Sequence, residues 1–112
     1  MISAVLTREG SGFSRCRVSG HSGYAEVGSD IVCAAVSILT CTCVNALESV
    51  CGVIPVIEQN QDGLISFRLP DERSAAENER AQILMGALRQ GLMDLAEGYP
   101  RDVQVKMKER RK

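Results

Sequence analysis

The sequence predicts an α+β domain in which two helices pack on a mixed β-sheet, with the elements in the order ββαββαβ. Several short segments alternate apolar and polar residues, which is typical of strands. Two long segments repeat apolar residues at steps of three and four, which is typical of helices. The chain has 112 residues, of which 45% are hydrophobic, enough for one core of modest size. With neither a repeat nor a linker to divide it, we expect residues 1–112 to form a single domain.

The first two strands are predicted over residues 2–9 and 13–20, joined into a hairpin by a Gly-Ser-Gly turn. Side chains alternate between the two faces of a strand. Simple alternation along the second strand therefore predicts that Phe13, Arg15 and Arg17 share one face.

A glycine-rich loop and a long apolar helix are predicted next. Residues 20–29 contain three glycines and no periodicity, which predicts a mobile loop. The helix is predicted to begin at Ser29 or Asp30, both good N-cap residues, and to run to Cys51, with Gly52 as its stop. Apolar residues cover more than one stripe of this helix, so it needs more than the sheet to cover it. A second helix or a second subunit must supply the other cover.

The second half of the chain predicts another hairpin. Residues 53–59 resemble a strand, and Pro55 places that segment at a sheet edge or at a strand start. Residues 60–63, Asn-Gln-Asp-Gly, predict a turn, and residues 64–69 predict the returning strand.

The last two predicted elements are a helix and a strand. Ser74 and Glu77 form a capping box for a helix that runs to about Glu97, where a glycine and a proline stop it. Residues 103–107 alternate again and predict the final strand.

The overall charge balance constrains the partners of the protein. A formal net charge of −1 and an isoelectric point of about 5.8 argue against a general affinity for nucleic acid, so we expect no direct nucleic-acid binding. The basic segment 101–112 is interpreted as a solvated tail, with docking to an RNA-rich particle as the alternative.

No targeting or membrane signal is expected from the sequence. The first ten residues lack the apolar core of a signal peptide, and their first basic residue is Arg8. The longest uncharged run lies between Asp30 and Glu48 and includes Ser, Thr and Asn, which disfavours a membrane span. We expect a cytoplasmic protein.

The five cysteines do not predict a disulfide framework. Five is an odd number, and Cys41 and Cys43 are two residues apart on one helix, so they point to different faces. With a single histidine in the chain, the spacings also miss the zinc templates. We expect reduced thiols, no metal and no cofactor.

His21 and Cys33 are the candidate reactive pair. A thiolate is favoured near the start of a helix, and an N-cap at Ser29 or Asp30 would place Cys33 in the first turn. His21 could take the thiol proton and later protonate a leaving amine, while unpaired helix N–H groups hold the oxyanion. Asp30 could orient the imidazole or only cap the helix, and the sequence leaves both open.

The remaining thiols are poorer nucleophile candidates. Cys16 lies within a strand, Cys41 and Cys43 lie mid-helix among apolar residues, and Cys51 lies at the negative end of the helix. Spacing alone does not decide between a catalytic pair and an inert thiol near a surface histidine.

Residues 20–37, GHSGYAEVGSDIVCAAVS, resemble the signature of the ribosomal-processing cysteine protease family, Prp. The resemblance covers a Gly-His, a Gly-Tyr-Ala, a Gly-x-Asp and an Ile-Val-Cys-Ala-Ala-Val-Ser in that order. The chain length and the predicted element order are compatible with this family. The departures are mild: Ser22 stands where alanine is common, and Cys41 and Cys43 fall in a less constrained part of the helix.

The resemblance implies a cytoplasmic, homodimeric endopeptidase that removes a short N-terminal extension from large-subunit ribosomal protein twenty-seven, cutting after a Phe-Phe pair. It implies Cys33 as nucleophile, His21 as general base and a supporting role for Asp30. It also implies that residues 22–29 form a flexible loop over the site. The substrate-binding residues expected on this basis are Gly20, Ser22, Gly23, Tyr24, Gly28 and Ser37.

Two other functions remain compatible with the residues. One is a non-catalytic ribosome- or assembly-associated binding module that uses the basic C-terminal segment. The other is a thiol redox sensor centred on Cys33, although no resolving cysteine stands at an obvious position.

Overall fold

The computed structural model describes residues 1–20, 27–61 and 63–110, with residues 27–30 as backbone only. Two helices and five strands follow in the predicted order ββαββαβ, so the predicted fold class is confirmed. The elements are β1 (Ile2–Glu9), β2 (Gly12–Ser19), α1 (Val27–Ser49), β3 (Val56–Gln61), β4 (Leu64–Arg68), α2 (Ala75–Gly98) and β5 (Val103–Glu109).

The five strands form one mixed sheet in the order β3-β4-β2-β1-β5. β1 pairs in parallel with β5, and the other neighbouring strands pair in antiparallel fashion. The apolar face of the sheet packs against both helices, and the opposite face carries mostly polar side chains. β3 is an edge strand that begins directly after Pro55, one of the two positions that the proline predicts, because its ring cannot donate a ladder hydrogen bond. The strand starts at Val56 instead of residue 53 and runs to Gln61, two residues into the predicted turn.

A β-bulge in β2 overturns the prediction that Phe13, Arg15 and Arg17 share a face. Thr7 pairs with Arg15 but Arg8 pairs with Phe13, so one extra residue is inserted into β2 and the alternation shifts. Phe13 therefore joins the core at 8% exposure. The Arg8 guanidinium lies 5.3 Å from the centroid of its ring.

The prediction that α1 begins at Ser29 or Asp30 is wrong, because the helix begins at Val27. Ser and Asp are favourable at an N-cap, but acidic residues are also favoured inside the first turn, where the positive end of the helix dipole attracts them. Residues 27–29 of the predicted loop therefore belong to the helix, and residues 21–26 lie outside the described residues. The helix ends at Ser49, and Gly52 follows with a φ of 70°, a backbone conformation that suits a glycine stop.

α1 is only partly covered by the rest of the domain. Its inner stripe, Val32, Val36 and Leu47, is buried, whereas Ile31 and Ile38 are 60% and 69% exposed. By length and composition the segment Ile31–Ser49 is also apolar enough to cross a membrane, contrary to the reading of the sequence. Its inner stripe packs into the core of the domain.

The last two elements form as predicted. The Ser74 hydroxyl accepts a hydrogen bond from the Glu77 N–H, and the Glu77 carboxylate accepts one from the Ser74 N–H, which completes the capping box of α2. Residues 103–109 pair with β1 as β5, so most of the basic segment interpreted as a tail is an edge strand.

Candidate active site

A cleft of about 570 Å³ lies between α1 and the hairpin formed by β3 and β4. Its apolar side chains come from the core face of the sheet and from α1: Ile2, Val18, Val36, Leu64 and Ile65. Its polar border comes from the hairpin tip, where the Asn60 and Gln61 amides lie, and from the exposed Ser37 of α1. This volume is in the range of small-ligand and peptide side-chain sites.

One stripe of α1 forms the helical wall of the cleft. Cys33, Ser37 and Cys41 follow one another at steps of four, so they lie on adjacent turns of the same helix face. Thr40 also lines the cleft, but it is buried and its hydroxyl donates to the Val36 carbonyl oxygen at 2.8 Å. The partly buried Cys33 packs against the core and is the one cysteine that is both half-buried and within this cleft.

Gly20 connects the end of β2 to the β3–β4 hairpin on the sheet side of the cleft. Its N–H donates to the Gly63 carbonyl oxygen at 2.9 Å, which links the end of β2 to the β3–β4 hairpin tip. Its φ is 82°, in the left-handed region that favours glycine, and a Cβ on it would collide with the Met1 carbonyl oxygen. Gly20 therefore shapes the cleft wall through its backbone.

The prediction that Cys33 lies in the first turn of its helix is wrong. With Val27 as the first residue, Cys33 is the seventh, and the unpaired N–H groups belong to residues 27–30. The influence of the helix dipole falls off within the first turn. The helix start therefore offers Cys33 little help in stabilising a thiolate, and its N–H groups do not surround the thiol.

The structure describes some of the predicted site residues and not others. Gly20, Cys33 and Ser37 line the same cleft, as expected of a common site. Gly28 is the second residue of α1 and Asp30 the fourth, and nothing about the Asp30 side chain is described. The remaining predicted residues, His21, Ser22, Gly23 and Tyr24, lie outside the described residues.

Cys41 is a cleft residue that the sequence reading missed. The sequence predicts it mid-helix among apolar residues, but it is exposed and lines the cleft two turns from Cys33. The eight-residue spacing from Cys33 was the available signal. Eight residues of helix span about 12 Å, which is too far for the two thiols to form a disulfide without unwinding the helix.

Burial makes two of the other thiols poor nucleophiles. Burial raises the pKa of the Cys16 thiol to about 12, with a smaller contribution from neighbouring Cys43. Burial likewise raises the pKa of Cys43 to about 11. Both thiols therefore remain protonated at neutral pH, which supports their exclusion as catalytic residues.

The raised pKa of Cys16 predicts a loss of stability in alkali. The thiol ionises near pH 9 in the unfolded chain but only near 12 in the fold, so its contribution is complete below pH 9 and declines as pH rises above that value. Between pH 9 and 10.5 the parent should lose about 2 kcal/mol more unfolding free energy than Cys16→Ala. Denaturant titrations at both pH values measure this difference, with Cys41→Ala, lacking only an exposed thiol, as the control. Parallel pH profiles for parent and Cys16→Ala would contradict the assignment.

In the part of the chain that the structure describes, no group of three or more His, Cys, Asp or Glu residues is arranged to hold a metal ion. The cleft itself brings together the Cys33 thiol and an apolar surface.

The comparisons with known proteins agree with a thiol-based site. The family model of the cysteine protease Prp matches residues 1–104. The ribosomal processing cysteine protease Prp of Bacillus subtilis is 28% identical over 107 residues, which cover 94% of this chain and 96% of that protein.

Solved structures share the whole fold. SMU.848 from Streptococcus mutans is 32% identical, with a TM-score of 0.86 over 98% of this chain and 96% of its own. The ribosomal processing protease Prp from S. aureus, solved with a covalently linked product peptide, is 25% identical, with a TM-score of 0.83 over 96% of this chain and 100% of its own.

The fold and the cysteine-lined cleft, together with these matches, define a cysteine protease. The chain belongs to the ribosomal-processing cysteine protease family, Prp. Membership in a protease family decides against the non-catalytic binding module that the sequence left open.

Proposed function

We propose that this protease is a cytoplasmic endopeptidase that removes a short N-terminal extension from large-subunit ribosomal protein twenty-seven, cutting after a Phe-Phe pair. The observation that carries the proposal is the position of Cys33 in the wall of a cleft whose other side is apolar. The Bacillus subtilis and S. aureus relatives are named as ribosomal processing proteases, which supports a ribosomal substrate for this chain.

The shape and lining of the cleft favour aromatic side chains in the substrate. Leu64 and Ile65 are partly exposed and offer the substrate apolar surface, the buried Ile2 and Val18 lie behind them, and no lining residue is charged. A Phe side chain gains more from burial on such a surface than a small or charged side chain does. The Asn60 and Gln61 side-chain amides at the border can bond to the polar backbone of an extended peptide.

In the proposed reaction, His21 accepts the proton of the Cys33 thiol, and the thiolate attacks the carbonyl carbon that follows the aromatic pair. The tetrahedral intermediate collapses to a thioester as His21 protonates the departing amine. A water molecule then attacks the thioester and releases the N-terminal fragment, which regenerates the thiol.

Because α1 starts at Val27, the proposed mechanism depends more heavily on His21 as the base that activates Cys33. Since Cys33 lies beyond the first helical turn, where the helix dipole is strongest, we assign removal of its thiol proton to a neighbouring base. His21 is the single histidine of the chain. It follows directly after Gly20, which lines the cleft. Asp30 stays a proposed supporting residue, acting on His21 or on the helix start.

The substrate is tested by incubating the purified protein with a peptide that spans the extension and its Phe-Phe junction, and weighing the products by mass spectrometry. A single cut after the second Phe is expected. A matched peptide with Ala-Ala at the junction should be cut at least about tenfold more slowly, because it forfeits the apolar burial. Equal cleavage of both peptides, or a cut elsewhere, would overturn the proposed specificity.

We also propose that the protein is a homodimer that covers the exposed stripe of α1. Ile31 and Ile38 lie on this stripe, and both are more than half exposed. Apolar side chains on one helix face, left uncovered by the domain, favour burial against a second copy.

The dimer is tested by sedimentation of the parent and of Ile38→Glu. The charge would be buried without a partner in the interface, so the variant should dissociate at protein concentrations at least about tenfold higher than the parent. Ile83→Glu, at an equally exposed position on α2, is the control and should sediment like the parent. If Ile38→Glu also sediments like the parent, the stripe is not the interface.

A further inference from the structure

The face of the sheet that points away from the helices collects a large share of the cationic side chains. Those in its two cross-strand rows define the basic face: Arg15, Arg17, Arg68, Lys106 and Lys108. The whole chain carries a net charge of −1, so the remainder of the molecule is acidic. The net charge of the whole chain does not reveal that its cations are concentrated on one face. The prediction of no nucleic-acid binding rested on that net charge.

The strand register places the five cations in two adjacent rows that run across the strands. In one row, Arg68 pairs with Arg15, Arg15 with Thr7, and Thr7 with Lys108. In the next row, Arg17 and Lys106 flank Val5. Strands lie about 4.8 Å apart, so the first row extends over about 14 Å from β4 to β5.

Few carboxylates neutralise this face. Glu58 pairs with Arg15 at 2.9 Å and approaches Arg68 at 3.9 Å, and Asp71 lies 4.0 Å from the Arg68 guanidinium. Among the described residues, no carboxylate lies within ion-pair distance of Lys106 or Lys108, and the Arg17 guanidinium donates only to the neutral Gln59 amide. These three cations are exposed and available to an anionic partner.

A shallow depression of about 430 Å³ lies in the middle of the face, between Arg15, Arg17 and Lys108, with Glu58, the partner of Arg15, also in its lining. Thr7 lines it and is only 4% exposed, and its hydroxyl has no hydrogen-bond partner among the described residues. A buried hydroxyl without a partner costs free energy, but this one is covered by the surrounding side chains, so the exposed cations supply the attraction for an anion.

We propose that the basic face docks on the phosphate backbone of RNA. The face matches that partner in charge, since its unpaired cations are spread over a flat surface and can meet several phosphates at once. The described residues in these rows include no aromatic side chain, so the surface is suited to backbone contact and not to base stacking. The face is also opposite the Cys33 cleft, so both can be occupied together.

The choice of RNA over another polyanion rests on the proposed function. A protease whose substrate is a ribosomal protein works beside ribosomal RNA, and a basic face turned toward it would hold the enzyme near its substrate. Lys106 and Lys108 take no part in the cleavage site, so loss of docking and loss of peptide cleavage can be measured separately.

Docking is tested by fluorescence anisotropy with a short labelled RNA duplex at several KCl concentrations. For three to five phosphate contacts, the logarithm of the binding constant should fall against the logarithm of the salt concentration with a slope of about −2.7 to −4.5. Lys106→Glu combined with Lys108→Glu should weaken binding at least about tenfold and flatten the slope by about two. Arg17→Glu, on a different strand, should weaken binding in the same direction.

The control is Arg101→Glu, an exposed cation in the turn before β5 that lies outside the two rows. It should bind RNA like the parent, and all variants should cut the isolated peptide at the parental rate and melt at the parental temperature. RNA binding that is absent, or equally weakened by Arg101→Glu, overturns the proposal. Tighter binding to poly-aspartate or to anionic vesicles than to RNA also overturns it. Failure of peptide cleavage alone would contradict the proposed function and leave the docking result intact.

Discussion

Cys33→Ala is expected to abolish peptide cleavage, with the rate reduced by about 10⁴-fold or more. The variant removes the only proposed nucleophile and leaves the cleft in place, since Cys33 is partly buried and alanine is a good helix former. The measurement is the initial rate of product formation from the Phe-Phe peptide, with circular dichroism and a thermal melt to establish that the variant is folded.

Cys41→Ala is the matched control for this experiment. Both thiols line the same cleft from the same helix, and they differ by two turns. The control should retain nearly the full rate because Cys41 is not assigned to the reaction. Residual cleavage in Cys33→Ala that disappears in Cys41→Ala would move the nucleophile to Cys41 and refute the assignment made here.

In the same assay, His21→Ala should reduce the rate almost as much as Cys33→Ala. The first turn of α1 does not include Cys33, so the helix gives the thiolate little support once the imidazole is lost. The pH dependence separates a base from a structural residue. A base should confer a rise in kcat/KM across the pH range in which imidazole loses its proton, and the residual rate of the variant should lack that step.

The second large effect is expected from Gly20→Ala, which should lower the free energy of unfolding by about 3–4 kcal/mol. Gly20 has a φ of 82°, and the added Cβ would meet the Met1 carbonyl oxygen, whose peptide unit is held by the hydrogen bond from the Ile2 N–H to the Asp102 carbonyl oxygen. Thermal unfolding should shift downward by about 10 °C or more. Because Gly20 and Ile2 both line the cleft, peptide cleavage should fall as well.

Gly52→Ala is the control that separates the cost of a positive φ from the cost of a steric collision in the free energy of unfolding. Gly52 has a φ of 70°, but nothing lies within 4 Å of a Cβ built on it. Its replacement should therefore cost only the conformational penalty of about 1–2 kcal/mol. If the two variants are equally destabilised, the contact between Gly20 and the Met1 carbonyl is not the source of the larger effect.

The fold was largely readable from the sequence because its elements carry strong local signals. Period-two alternation marked the strands, and the Ser74–Glu77 capping box marked the start of α2 where the structure has it. Pro55 restricted β3 to an edge, which its place in the sheet confirms. In these cases the local preference and the tertiary structure agree.

The errors arose where more than one conformation satisfies the same residues. Ser29 and Asp30 suit an N-cap and a first turn equally, and the structure uses the second arrangement. The bulge that turns Phe13 into the core depends on how β1 and β2 pair. The residue pattern of one strand alone does not predict that pairing.

The site was predictable in part. The position of Cys33 in a cleft with Gly20 and Ser37 agrees with the sequence motif. The exposure of Cys41 could not be read from an apolar helix, because it depends on which helix face the β3–β4 hairpin leaves open. The clustering of basic residues was equally hidden, since residues far apart in sequence meet only through the sheet.

The parallel pairing of β1 with β5 has a consequence for how the protein is made. Ile2 pairs with Val103, so the second neighbour of β1 emerges from the ribosome only after nearly all the other elements have been synthesised. Until then β1 has one side unpaired, and the N–H and C=O groups there are available to other chains. Such long-range pairing slows folding, because the ends of a long loop must meet first. Newly synthesised molecules should therefore acquire a complete sheet late, after translation has passed residue 109.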